Sequence, residues 1–406
     1  MSFLERVFFL LLLFLFPIQL GKHFWPEFSF VQGIRLDYLS PTLYLSDIVV
    51  VALFASSFWR LRKDLSKFFL SFPVLLLFLG LGIGSILAYQ SQSAFFGIVK
   101  LSELLWFGFY VSKISRKILS ELLLAFTLGG LVQVIILTFQ YFSQSSIGGI
   151  FYYLGERTFV PTTPGIALFR LGEELVLRPY GTFPHPNVLA CYLLLSFILI
   201  LYLFPKEKII YRYAKFTILL AISFGIVLTF SRVVLLLFVV SLLFYFWDSK
   251  RVKRIILVLA ISLFGVLFHR FVNGFIDDLA SRFELLKIGW FVFLKNPLFG
   301  VGLNNFHYHE IFYQKEITPN LLQPIHSIYF HWLVSTGIVS SILAVYLFRN
   351  ILKRTKSRLA MFLIITIGII GLFDHYLITL QQGQLIIAFV LGFYYSVFGQ
   401  RVKELA

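Results

Sequence analysis

The chain has 406 residues, 59% of them hydrophobic and only 13% charged, which is too apolar for a soluble protein of this length and points to a polytopic membrane protein. A formal net charge of +16 would suit nucleic acid, but the basic residues form short clusters between apolar runs and not one patch, so no nucleic-acid partner is expected. The lone cysteine, Cys191, lies in an apolar run; it rules out an intrachain disulfide and argues against a cysteine-based metal site.

The opening stretch, MSFLERVFFLLLLFLFPIQLG, has the look of a signal peptide. Its apolar run is long, no convincing small-residue cleavage site follows, and many spans come after it, so it reads as a retained first span. About twelve apolar segments have membrane-crossing length. They cover residues 4–20, 43–59, 68–88, 94–112, 117–142, 187–204, 214–230, 232–247, 254–269, 326–348, 358–378 and 383–399, with a tight hairpin or break at Ser231. The expected fold is an all-α integral membrane protein of about twelve transmembrane helices.

The gaps sort by charge. With the N-terminus in the cytoplasm, alternate gaps carry Arg60, Arg62, Lys63 and Lys67; Lys113, Arg116 and Lys117; Lys206, Lys208, Arg212 and Lys215. The same side then holds Lys250, Arg251, Lys253 and Arg254; Arg349, Lys353, Arg354, Lys356 and Arg358; and finally Arg401 and Lys403. These gaps are short and almost purely basic, as the positive-inside rule requires, so both termini are expected in the cytoplasm. Two long gaps, 143–186 and 270–325, then fall outside, and long loops with local structure commonly carry function. The expected division is a five-span bundle over 1–142, an external loop over 143–186, spans six to nine over 187–269, a large external loop over 270–325, and a three-span bundle over 326–406.

Ionisable groups in a bilayer are expensive and need a partner, a watery cavity or a function. Under this topology Asp47, Lys100, Glu103, His185, Asn187, Arg232, His326, Asp374 and His375 all fall toward the external side, which a polar chamber there would explain. Each also has a plain structural reading. Lys100 and Glu103 can neutralise each other as an i,i+3 pair; Asp374 can be interfacial; Asn187, after Pro186, can cap a helix; Arg178, Arg232 and Arg282 can snorkel to headgroups. Pro297, Gly300 and Gly302 in NPLFGVGLNNF read as turn-formers with Phe299 and Phe306 packing the turn, and Gly337 reads as a site of close helix approach.

The sequence contains no P-loop, no Asp-x-Asp, no Gly-x-Ser-x-Gly and no local metal-ligand cluster. His307, His309 and Glu310 in FHYHE give only a weak metal signal, and His326 and His331 in HSIYFH are poorly placed to share a helix face. No metal or other cofactor is expected, which leaves any chemistry to arginines and a histidine.

Four stretches carry a family resemblance: RPYGTFPHPNVLACYLL, LTFSRVVLLLF, SRFELLKIGWFVFLKNPLFGVGLNNF and HSIYFHWLVSTGIVSSIL. In order and spacing, from about residue 170 to 350, they resemble the O-antigen ligase and polymerase family of polytopic membrane glycosyltransferases. FDHYLITLQQGQLIIAFVLGF looks like that family's closing span pair, whereas the N-terminal third fits only in hydropathy. The resemblance implies a metal-independent transferase of the GT-C type in the inner membrane, with its active site on the external, periplasmic side. The implied donor is a glycan on a polyprenyl diphosphate, and the implied acceptor a sugar hydroxyl on a glycan or lipid-linked carrier. It further implies that arginines hold the diphosphate and that a histidine in or after the large external loop is the base. The residues agree. Arg is suited to bidentate phosphate contact and never deprotonates; Arg232 opens a helix, where backbone N–H groups favour anions; His326 follows Pro324 at the mouth of the tenth span and has a useful pKa range. Arg178, His185 and Asn187 belong to a rigid lip, RPYGTFPHPN, expected to face the donor headgroup or its sugars, and Arg282 joins the anion clamp. Polymerisation within the same family is one alternative; a multi-span transporter is another, but a transporter should carry its charges near the midplane.

Overall fold

The computed structural model describes residues 1–171, 174–205, 209–252, 254, 256, 279–313, 322–353 and 357–396. The chain is mostly helical: α1 (Phe3–Leu15), α2 (Leu45–Phe69), α3 (Phe72–Leu87), α4 (Ser91–Ser112), α5 (Leu119–Ser143), α6 (Pro186–Leu203), α7 (Ile209–Leu228) and α8 (Arg232–Tyr245). A helix over 279–295, here α9, is followed by α10 (Phe306–Glu310), α11 (Ile328–Leu352), α12 (Arg358–Phe373), α13 (Tyr376–Thr379) and α14 (Gln381–Tyr395). Three short antiparallel pairs complete it: β1 (Gly21–His23) with β4 (Thr42–Tyr44), β2 (Phe30–Val31) with β3 (Ile34–Arg35), and β5 (Leu168–Leu171) with β6 (Glu174–Leu177).

Eleven of the expected apolar segments coincide with helices, and the remaining one, 254–269, lies outside the described residues apart from 254 and 256. Among the described residues five helices are long and apolar enough to cross a membrane, or six if α2 and α3, which meet at a 72° bend, count as one broken span. Helices α8 and α12 are apolar but shorter. One expectation is corrected: Arg60, Arg62, Lys63 and Lys67 do not form a loop but lie on the last turns of α2. Lys and Arg are good helix formers, so the helix runs on past its apolar part before stopping at Leu70.

The chain divides into two compact units, one of residues 1–12, 21–117 and 282–406, the other of 13–20 and 118–281. In the second unit α6 is apolar on all sides and buried along nearly its whole length, as a helix enclosed by α5, α7 and α8 must be. In the first unit Glu5 is buried and held by Arg60 and by the Tyr110 hydroxyl, which donates to its Oε1 at 3.1 Å. The same unit satisfies its most expensive intramembrane charges internally. Lys100 Nζ donates to Asp47 Oδ1 and Glu103 Oε2, both at 2.8 Å, and Gln381 Nε2 also donates to Asp47. The i,i+3 neutralisation open to Lys100 and Glu103 is therefore formed, with Asp47 as a third member.

The first unit also contains a helix interruption. The apolar segment 326–348 reads as one span, but α11 breaks at Gly337 (φ +70°). The NPLFGVG segment threads against the break: the Val301 and Gly302 N–H groups donate to Val334 and Ser335 carbonyls, and the Ile338 and Val339 N–H groups donate to Pro297 and Leu298 carbonyls, at 2.9–3.2 Å. The backbone groups released by the kink are thereby satisfied within the apolar environment. A Cβ on Gly337 would lie 2.3 Å from the Leu298 carbonyl oxygen, and one on Gly300 (φ +69°) 2.5 Å from the Ser335 backbone. Gly337→Ala is expected to abolish a cooperative melting transition of the detergent-purified protein, since backbone overlap adds to strain of about 1–3 kcal/mol in a backbone conformation essentially restricted to glycine. Gly82→Ala, which meets nothing within 4 Å, should melt like wild type; equal behaviour of the two variants would contradict this account.

Candidate functional site

In the second unit the RPYGTFPHPN lip is rigid for reasons the apolar pattern does not reveal. Buried Gln140 of α5 accepts from the Tyr180 and Gly181 N–H groups at 2.9 and 2.7 Å, and donates to the Gly181 carbonyl and to Glu156. Gln133, two turns earlier on the same face, accepts from the Thr182 N–H and donates to the Thr182 hydroxyl, which itself donates to the Pro17 carbonyl. Gly181 (φ +58°) leaves no room for a side chain, since a Cβ would lie 2.3 Å from Gln133 Oε1. Two buried glutamines thus replace secondary structure as partners for the lip's backbone.

Three expected site residues converge there. Arg178 Nε donates to the Thr229 carbonyl at 2.9 Å, and one of its terminal nitrogens donates to Asn187 Oδ1 at 2.6 Å. The Thr229–Ser231 break between α7 and α8 is shaped by Phe230 (φ +51°), whose ring stacks on Phe169 of β5 with centroids 4.4 Å apart. The helix cap expected of Asn187 belongs to His185, whose Nδ1 accepts from the Asn187 N–H at 3.1 Å, with Pro186 in the first helical position. Arg232 opens α8 immediately after the break, as its position in the sequence implied.

The first unit brings together residues from five parts of the chain. His326, just ahead of α11, sets its ring against that of His375, centroids 4.9 Å apart and nearly perpendicular. His375 lies in the two-residue break between α12 and α13, beside Asp374. Tyr38, from the segment between α1 and α2, lies 5.8 Å from the ring of His307 and 5.7 Å from that of His375. His307 Nδ1 is 3.0 Å from Glu310 Oε2, both groups essentially inaccessible to solvent. His331 packs edge-on to Phe306 and lies within electrostatic reach of His307 and His326. Arg282 of α9 donates to the Phe373 carbonyl at 2.5 Å, next to the same break, and also lies within electrostatic reach of His375.

Burial pushes the Glu310 carboxyl above its ordinary pKa, while His307 and a backbone hydrogen bond from Gln323 favour the ionised form. Burial pushes His309 below its ordinary value, and Lys295 adds to that. A small hydrophobic cluster of Val31, Leu36, Leu39, Tyr308 and Leu322 packs the segment between α1 and α2 onto residues around α10, and so fixes Tyr38 over the histidines.

Of the expected site residues, His326 and Arg282 meet around the 373–375 break, and Arg178, His185 and Asn187 meet around the lip. Sequence reasoning placed Asp374 and His375 among the groups of a polar chamber and Glu310 in a weak metal signal, but it gave them no role in the site, and it missed Tyr38 and the four-histidine grouping. The FDH triplet ending an apolar run was the available signal. His326, Asp374 and His375 each bring one potential ligand atom to within 4.8 Å of the others, so the fold assembles from two distant segments a ligand group that is absent as a local motif.

The apolar helices and the polar constellations they carry define a polytopic membrane protein. Residues 216–345 match the family model for O-antigen ligase, which bears out the resemblance read from the sequence over that range. The matched range includes Arg232, Arg282 and His326; Arg178, His185, Asn187, Asp374 and His375 lie outside it. No curated protein matches the chain.

Proposed function

We propose that the protein transfers a glycan from a polyprenyl diphosphate carrier to a sugar hydroxyl on a glycan or lipid-linked acceptor, in the manner of an O-antigen ligase and without a metal. The observation that carries this reading is the meeting of an arginine and a histidine at one helix break. Arg282 is bound to the carbonyl of Phe373, and His326 packs on His375 two residues further along. The acceptor hydroxyl gives its proton to His326 as its oxygen attacks the anomeric carbon, and the diphosphate leaves with the bonding pair. Arg282 neutralises charge developing on the leaving group, and positioning plus electrostatics supply the acceleration. By resemblance, Arg178 and Arg232 also serve the donor diphosphate, with His185 and Asn187 near its headgroup or sugars. The two bonds already formed by Arg178 hold its guanidinium in place and cut the entropy lost on meeting a phosphate.

This reading keeps the twelve-span GT-C architecture, the five-part domain division and an inner-membrane location, with both termini cytoplasmic and the site external. A topology reporter fused after Ala406 should behave as cytoplasmic, and reporters inserted within 270–325 as external; an external C-terminus would overturn the assignment of sides. Transfer by reconstituted protein should persist in excess chelator, and its loss on chelation would contradict metal independence.

A further inference from the structure

The transfer reaction just described leaves Asp374 and Thr379 without a task and uses His375 only as a packing partner. His375 is buried, and its Nδ1 is held by the Thr379 hydroxyl. The Thr379 hydroxyl donates to the His375 carbonyl at 3.2 Å, so toward His375 Nδ1, 2.7 Å away, the same oxygen acts as acceptor. With Thr379 Oγ1 as acceptor, the tautomer that fits has the ring proton on Nδ1 and leaves Nε2 with its lone pair. This is how metal-binding histidines are held, with one N–H tied to the protein and the other nitrogen aimed at the ion. Asp374 Oδ1 accepts from the His375 backbone N–H at 2.8 Å, which anchors the carboxylate at the same break. The His326 and His375 rings stand at 82° to each other, so they are not stacked face to face.

We propose that His326, His375 and Asp374 form a binding site for a divalent transition-metal ion of the zinc type. Two imidazoles and a carboxylate with an open fourth position suit such an ion, whereas calcium and magnesium require oxygen-rich sets. Bonds of about 2.0–2.2 Å place ligand atoms on the order of 3.5 Å apart. The three ligand atoms, now within 4.8 Å of one another, must draw in by about 1 Å, a movement that rotation of the half-buried Asp374 side chain supplies. Arg282 opposes a cation here, but its guanidinium is tied to the Phe373 carbonyl and the Asp374 carboxylate offsets its charge. A metal bonded to His326 takes the lone pair that would accept the acceptor's proton, so the ion is an inhibitor of transfer. That consequence rests on the transferase reading, whereas binding itself does not.

The test is a titration of chelator-treated, detergent-purified full-length protein with Co²⁺, read by its visible absorption, and with Zn²⁺ as competitor. One equivalent should bind per chain. Asp374→Asn and His375→Gln should each weaken binding at least about tenfold, and Thr379→Val, which releases the supporting hydrogen bond, by about ten- to a hundredfold. His309→Gln should bind like wild type. Absence of binding, or binding that Asp374→Asn and His375→Gln leave unchanged, overturns the site. In the activity arm, Zn²⁺ should inhibit wild-type transfer in proportion to occupancy and be reversed by chelator. Full transfer by the metal-saturated protein would overturn inhibition through His326 while leaving the binding result to stand by itself.

Discussion

Replacing His326 with alanine should lower transfer by at least about a hundredfold at saturating acceptor, the lower bound of what a positioned general base contributes. Binding of the lipid-linked donor should survive, because the base contacts the acceptor proton and not the diphosphate. His331 is the control. It lies five residues further on, buried within α11 and edge-on to Phe306, where an acceptor hydroxyl has little access. His331→Ala, measured on the folded fraction, should retain most of the turnover. Equal losses in the two variants, or loss of donor binding in His326→Ala, would remove His326 from the role of base.

Replacing Arg282 with lysine should lower kcat by about a hundredfold, the scale expected when one preorganised donor to a developing anion is lost. Lysine keeps the charge but loses the planar fork, so it cannot hold the Phe373 carbonyl and face a phosphate oxygen at once. Insertion and melting should be close to wild type, since the guanidinium is half-buried and bonds a carbonyl at a helix end. Wild-type rates in Arg282→Lys would mean that the arginine serves only to anchor α9 to the 373–375 break.

The helices were legible because membrane-length apolar runs are a one-dimensional signal, and the ends of α6 and α8 followed directly from Pro186 and the Ser231 break. The extension of α2 through its basic turns was not legible, since a basic cluster reads alike as a loop and as an exposed helix end. The break at Gly337 was hidden for another reason. A glycine in an apolar run signals close packing or a kink equally, and what decides is the NPLFGVG segment, whose backbone fills the gap. His326, Arg282 and Arg178 were identifiable singly, as charged groups beside turns. Their partners were not, because His375, Phe373 and Thr229 are joined to them only by the fold. Tyr38 had no sequence signal at all; its place over His307 and His375 depends on the packing of Val31, Leu36 and Leu39 against Tyr308 and Leu322.

The most direct measurement is release of polyprenyl diphosphate by the purified protein in vesicles, with a polyprenyl-diphosphate glycan present and a glycan or lipid-linked acceptor added or withheld. The account predicts release that depends on acceptor, equals the amount of glycan joined to it, and falls to background in His326→Ala. Movement of the glycan or of an anion across the vesicle membrane with no polyprenyl diphosphate released would contradict it and favour a transporter.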